Sequence, residues 1–257
     1  MMKINVITLF PELIEVVTRH GMPRVAAEQG ALALSSINPR DHAQNKWRKV
    51  DDRPFAGGPG MVMQAEPLAR SIESARAEIG SDAKVVMMSP QGERMSQAWF
   101  ERLSREPALI VLCGRYEGID ERLVTSEVDV ELSLGDFVLS GGELAAMALI
   151  DGIARLLPGV LGHAESAQQD SFSSESGLLD HPHYSRPEQW RDQVVPEVLM
   201  GGNHAEIARW QLRQALRRTW LRRPDLLDNM ELDAQGEKLL REVIAEIIAE
   251  HQKVEAS

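Results

Sequence analysis

"GDFVLSGGELAAMALIDG", residues 135–152, opens with turn residues, passes through the adjacent glycines Gly141 and Gly142, and becomes an apolar stretch with helical spacing. It reads as the hand-over from a strand to a helix, the junction from which α/β sheets are built. The glycine pair has two readings. Glycine at a tight turn, or where a helix approaches a sheet closely, is ordinary packing. Alternatively, a ligand lies so near the backbone that any Cβ would collide with it. The stretch alone leaves both open.

Outward from it, short apolar runs alternate with segments of helical period. "KINVITLF", "ALALSSIN", "KVVMMSP", "ALIVLCG" and "VDVELSLG" read as strands, with helices expected near residues 12–20, 66–79, 96–105 and 142–157. This alternation predicts an α/β domain with a mainly parallel sheet. Its glycine- and proline-rich loops follow strands, at the carboxyl edge where open α/β sheets bind ligands. After about residue 158 the chain turns polar and is broken by proline and glycine. From about residue 204 the period is helical again, as in a small second domain.

The 257 residues are 43% apolar and 26% charged, an ordinary composition for a soluble globular protein. Pro11, Glu12 and Glu15 cut short the apolar run at the N-terminus, and no segment is long enough to span a bilayer, so a cytoplasmic protein without membrane contact is expected. A single cysteine, Cys113, excludes a disulfide within the chain and reads as a packed thiol. The formal net charge of −11 argues against nonspecific coating of nucleic acid but leaves room for a local basic face. One candidate is the helical row Arg209, Arg213 and Arg217, with Arg218, Arg222 and Arg223 near it. Such a row suits either a phosphate backbone or a solvated face paired with acids. Trp210 and Trp220 are expected in the core. A second basic patch is Lys46, Arg48 and Lys49.

Five stretches stand out: "RPFAGGPGMVM" (53–63), "MSPQGE" (88–93), "CGRYEGIDER" (113–122), "GDFVLSGGE" (135–143) and "SAQQDSF" (166–172). Each alone is a weak signal. Gly57, Gly58 and Gly60, with Pro54 and Pro59, form a turn or a cradle, but no Lys-Ser/Thr follows as in a phosphate-binding P-loop, and no GxGxxG follows a strand. Together and in this order, with "HPHYSRP" and "RRTWLRRPDLL" further on, they resemble the bacterial tRNA (guanine-N1)-methyltransferase family over nearly the whole chain.

That resemblance implies a SPOUT-class α/β fold with a deep trefoil knot over residues 1–160, a flexible linker over 161–177 and a helical tRNA-binding domain over 178–257. It further implies a homodimer with the active site at the subunit interface. The substrate would be tRNA, methylated by S-adenosylmethionine at N1 of the guanine 3′ to the anticodon, position 37. On this resemblance the cofactor meets Met88, Ser89, Pro90, Gly114, Arg115, Tyr116, Glu117, Ser133, Leu134, Gly135, Asp136, Phe137, Val138, Leu139, Gly141 and Gly142. The glycines would admit the ligand, Tyr116, Leu134 and Leu139 would wall it, and Glu117 would face its positive charge or a divalent cation. Asp51, Gly60 and Ser166 match substrate-binding positions.

The chemistry needs a base, because guanine N1 carries a proton at neutral pH. Asp170 matches the family base, yet an ordinary aspartate, with a pKa of roughly 4, is a weak acceptor for so weak an acid. Partial desolvation, or a cation at guanine O6, would close the gap. Arg155 matches the family residue for the cation, and Mg²⁺ is a further candidate. A polar linker that orders when RNA arrives would bring Asp170 into place with the correct substrate. Four departures from the family pattern are Ala56 for glycine, Phe137 for tyrosine, Ala145 for proline and Met87-Met88 for Tyr-Leu. The alternatives are another knotted RNA methyltransferase and a non-catalytic RNA-binding module.

Overall fold

The computed structural model describes residues 1–162, 170–173, 177–228 and 230–255. The chain divides into two units, Met1–Ala164 and Glu165–Ser257.

The first unit is built on five strands: β1 (Met2–Ile7), β2 (Leu32–Ile37), β5 (Lys84–Arg94), β6 (Ala108–Cys113) and β7 (Val130–Ser133), in the order β2-β1-β6-β5-β7. Every pairing among them is parallel. The expected α/β class with a mainly parallel sheet is what the chain forms. Two short strands, β3 (Asp51–Asp52) and β4 (Val62–Met63), pair antiparallel beside it.

Burial on both faces explains why "ALIVLC" is apolar without alternation. All six residues of β6 are buried. Leu109, Val111 and Cys113 join one core cluster, and Ala108, Ile110 and Leu112 join another, as a two-residue side-chain period requires. The first cluster is covered by α6 (Glu143–Ala154), the second by α3 (Ala65–Ile79). The apolar run after Gly142 is therefore a helix in contact with the sheet, burying Ala145, Ala146, Leu149, Ile150, Ile153 and Ala154.

The expected helix over 12–20 is broken. α1 spans Pro11–Glu15, a single 3₁₀ turn covers Val17–Arg19, and α2 begins afresh at Gly21–Glu28. His20 is extended and Gly21 takes φ +62°, a left-handed value that interrupts helical geometry. α4 (Gln97–Leu103) and α5 (Glu121–Glu127) complete the first unit. β5 also runs past its expected end. It pairs with β7 as Met88↔Leu132, lets residues 89–92 loop out, and rejoins as Glu93↔Leu132. A Cβ on Gly92 would stand 2.5 Å from the carbonyl carbon of Glu131, so the returning strand passes too close for any side chain.

In the second unit a hairpin of β8 (Gln189–Trp190) and β9 (Gln193–Val194) precedes α7 (His204–Arg222) and α8 (Ala234–Glu255). The Asn203 side chain caps α7 by accepting from the amides of Ala205 and Glu206. Leu178, Ala215, Leu216 and Leu239 form the core. Trp210 and Trp220 are not in it. Trp210 is half-buried and Trp220 is exposed, because the buried face of α7 is the one carrying Ala215, Leu216 and Thr219. Among the described residues no helix is long and apolar enough to cross a membrane.

Candidate functional site

Three neighbouring strands of the first unit, β6, β5 and β7, end side by side, and the loops leaving their carboxyl ends enclose a cavity of about 390 Å³. Open α/β sheets bind small molecules in this position, and the volume is that of a small-molecule site. Of the residues assigned to the cofactor by resemblance, all but Asp136 line it. Asp136 instead pairs with Arg94 on the exposed surface. Sequence reading assigned no role to Gln91, Ile119 and Glu121, inside the quoted motifs, or to Glu131 on β7, all of which also line the cavity.

The cavity's shape rests on hydrogen bonds between its loops. Gly142 N donates to Gly114 O at 3.0 Å, and Arg115 bridges Gly141 in antiparallel fashion. Ser133 Oγ donates to Gly135 O at 3.0 Å and accepts from Gly135 N at 3.2 Å, which turns the chain sharply after β7. Ser89 Oγ accepts from Gln91 N at 3.2 Å and shapes the loop of β5. Tyr116 takes φ +62°, an uncommon conformation for a residue with a side chain, and such strain clusters at functional loops. Tyr116, Phe137 and Val138 leave their apolar surface exposed at the rim.

The fit to a sulfonium-bearing nucleoside rests on this chemistry. Half-exposed apolar walls from Tyr116, Leu134 and Leu139 suit a purine and a thioether chain, and Glu117 and Glu131 place carboxylates on the lining for a cation. Phe137 brings a ring without the phenolic hydroxyl usual in the family pattern.

Gly141 and Gly142 are required by the protein itself. A Cβ on Gly141 would run into the paired Arg115 and Glu143 side chains, and one on Gly142 would lie 2.9 Å from Cys113 Cα and 3.0 Å from Met88 Cβ. Close approach to neighbouring chain already excludes a side chain at both. Gly114 differs, since a Cβ there would meet only Ile119, at 3.7 Å.

Beneath the crossing lies an ion pair that sequence reading overlooked. Glu143, 1% exposed, accepts from the Thr8 hydroxyl at 2.8 Å and from Arg115 Nε at 3.2 Å through Oε1. Its Oε2 sits 2.8 Å from Arg115 Nη2, at an angle too poor for a hydrogen bond. Arg115 Nη1 donates to Ser140 O at 3.1 Å, and the guanidinium lies 4.5 Å over the Phe10 ring. Arg115 therefore lines the cavity while its charged head clasps three segments together. Cys113 adjoins this pair. Burial, then the Glu143 carboxylate, push its thiol well up, and Arg115 only partly opposes them, so it stays protonated and packs as expected.

Two of the three positions expected to bind substrate, Asp51 and Gly60, flank a segment hydrogen-bonded to the cavity wall. Asp51 is half-buried in β3, opposite Met63. Gly60, at φ +89°, lies against the Glu117 side chain, which a Cβ there would run into. Glu117 N donates to Met61 O and Met63 N to Gly118 O, so the 53–63 loop is stitched to the cavity wall. Between them Ala56, Gly57 and Gly58 all take left-handed φ, 71°, 78° and 116°. Ala56, a departure from the family pattern, thus holds a conformation natural to glycine.

Arg155 follows Ala154 as the C-cap of α6 and is half-buried. Asp170, in the second unit, is half-buried in a turn where its carbonyl accepts from Ser173 N. Ser166 lies outside the described residues. The arginine row resolves toward pairing with acids: Arg209, Arg213 and Arg217 of α7 meet Glu242, Glu246 and Glu250 of α8 in register. In the basic patch, Arg48 pairs with Asp41 and Lys49 lies 3.8 Å from Asp52.

Comparison with known proteins places this geometry. The family model described as tRNA (Guanine-1)-methyltransferase TrmD matches residues 2–229. A protein of Halorhodospira halophila named tRNA (guanine-N(1)-)-methyltransferase is 56% identical, over 96% of this chain and 93% of its own. Proteins of the same name from Nitrosococcus oceani and Pasteurella multocida are 54% and 52% identical, over 98% and 95% of this chain and 99% of each of theirs.

Proposed function

The chain belongs to the tRNA (guanine-N1)-methyltransferase family, and on that footing we propose how its residues carry out the reaction. The protein methylates guanine N1 in tRNA, giving 1-methylguanosine, with S-adenosylmethionine as methyl donor. The target in our reading is the guanine at position 37, immediately 3′ to the anticodon.

The cavity at the ends of β5, β6 and β7 holds the cofactor, and the observation that carries this is the convergence there of nearly every residue the family pattern assigns to it. Bound there, S-adenosylmethionine supplies a methyl group made electrophilic by its sulfonium. Tyr116, Leu134 and Leu139 shield it from water, and Glu117 faces its charge. Asp51 and Gly60, stitched to the same wall, position the target guanine.

Asp170 takes the proton from N1, which frees the N1 lone pair to receive the methyl group that bound S-adenosylmethionine would supply. Arg155 donates to guanine O6, where the negative charge collects, which lowers the cost of removing the proton. Mg²⁺ is the third element of this reading, and Glu117 is the residue that would hold it. In this reading the cofactor fold is knotted and the protein acts as a homodimer, with the active site at the interface between the two copies. The cytoplasm is where such a substrate resides.

The test is to incubate the protein with S-adenosylmethionine and unmodified tRNA and to digest the product. We expect 1-methylguanosine, lost when guanine 37 is replaced. Single-turnover rates should fall about 10²- to 10⁴-fold in Asp170→Asn, the range typical of a general base. An undiminished rate in that variant would remove Asp170 from the mechanism.

A further inference from the structure

Just after the turn that holds Asp170, the second unit gathers Asp180, His181 and His183, with one donor atom from each within 4.8 Å of the others. We propose that these three side chains bind a divalent transition metal, with zinc the best match. Carboxylate and imidazole are the ligand types zinc takes, and three protein ligands leave one position for water.

Hydrogen bonding prepares the site in detail. His181 Nδ1 lies 3.1 Å from Pro182 O. A carbonyl only accepts, so Nδ1 carries the hydrogen and the neutral ring presents its Nε2 lone pair. That is how metal-binding histidines are fixed, with the second nitrogen donating to a carbonyl or carboxylate. The Nε2 atom stands 3.7 Å from Asp180 Oδ1. Two acceptors then face each other across a gap that a cation would fill. His183 Nε2 lies 2.7 Å from the other oxygen, Oδ2.

The carboxylate is itself held from behind. Asp180 Oδ1 accepts from His181 N at 2.7 Å, Asp180 N donates to Ser171 Oγ at 2.9 Å, and Asp180 O accepts from Arg218 Nη1 at 3.0 Å. The His181 ring is steadied by Trp210, 6.3 Å away edge-on. Ligands of a tetrahedral zinc with bonds of about 2.0 Å lie roughly 3.3 Å apart. The remaining closure falls to His183, whose side chain is 69% exposed and already bonded to the same carboxylate.

The position suggests a brace. Ser171 bonds to Asp180, and Phe172 N donates to Leu178 O at 3.0 Å, so a metal here would stiffen the turn that begins at Asp170. Metal binding itself does not depend on the role given to Asp170.

The test is calorimetric titration of Zn²⁺ into tag-free full-length protein freed of metal, with visible absorption of Co²⁺ as a geometric probe. We expect one ion per chain, a tetrahedral Co²⁺ spectrum and a raised melting temperature. His183→Ala, at an exposed position that leaves the fold intact, and Asp180→Asn should each weaken binding at least tenfold. A wild-type chain that binds neither ion, or variants that bind as well as wild type, would overturn the proposal, leaving an imidazole–carboxylate cluster with no metal role.

Discussion

Gly57 and Gly58 adopt φ of 78° and 116°, and a Cβ on either would meet nothing within 4 Å. Gly142 adopts an ordinary φ of −78°, yet a Cβ there would press 2.9 Å from Cys113 Cα. One loop uses glycine for its backbone freedom and the other for its missing side chain. The same dipeptide therefore answers two physical demands, and the demands respond differently to substitution.

The largest effect should come from the support beneath the crowded pair. Glu143→Ala leaves Arg115 half-buried without its carboxylate and removes the acceptor of the Thr8 hydroxyl. We expect a loss of about 3–5 kcal/mol, the usual outcome of breaking a buried pair, read by urea denaturation. Gly142→Ala comes next. The added methyl must displace backbone of β6 and the Met88 side chain, at a cost of about 1–3 kcal/mol, with cofactor affinity falling in parallel. Stability unchanged in this variant would end the contrast between the loops.

In the open loop the costs are conformational and smaller. Gly57→Ala should cost about 1 kcal/mol, the price of a left-handed non-glycine residue, and leave cofactor affinity unchanged. Ala56→Gly tests the same idea in reverse. Relief of the strain at φ 71° outweighs the greater freedom of the unfolded chain, for a gain of about 0.5 kcal/mol by thermal unfolding.

The smallest effect lies where the two loops meet. Asp120 caps α5 and its amide donates to Met63 O. A side-chain hydrogen bond from Arg122 holds its carboxyl below the usual range; burial opposes it, and the Arg122 amide and charge add smaller lowering effects. Its contribution is complete above the ordinary aspartate range and is lost as pH falls through the lowered value. Asp120→Asn should remove this part of the acid dependence, a few tenths of a kcal/mol in denaturation curves taken between about pH 2 and 6.

The parallel sheet was legible because short apolar runs, β6 among them, alternate with segments of helical period, and burial of β6 on both faces explains why its run shows no alternation. The cavity was legible through the order of its loop motifs, which sit at three adjacent strand ends. The reason for Gly141 and Gly142 was not, since it depends on Arg115 and Cys113, some 26 to 29 residues away in the chain. Glu143 went unnoticed because a carboxylate in the first turn of a helix is ordinarily solvated. The row Arg209, Arg213 and Arg217 left two readings open because its glutamate partners lie 33 residues on, beyond the reach of local spacing. Trp210 and Trp220 were misplaced by composition: large aromatic rings favour cores, but α7 turns a different face inward.

Gly114 supplies the most direct test of the claim that this cavity holds S-adenosylmethionine. A Cβ there would meet only Ile119, at 3.7 Å, so a single methyl fits the surrounding chain and only a ligand would object to it. Calorimetric titration of S-adenosylmethionine into Gly114→Ala, alongside its melting curve, should find the melting temperature within about 2 °C of wild type and the affinity reduced at least tenfold. An equally stable variant that binds the cofactor as tightly as wild type would contradict the placement of the methyl donor.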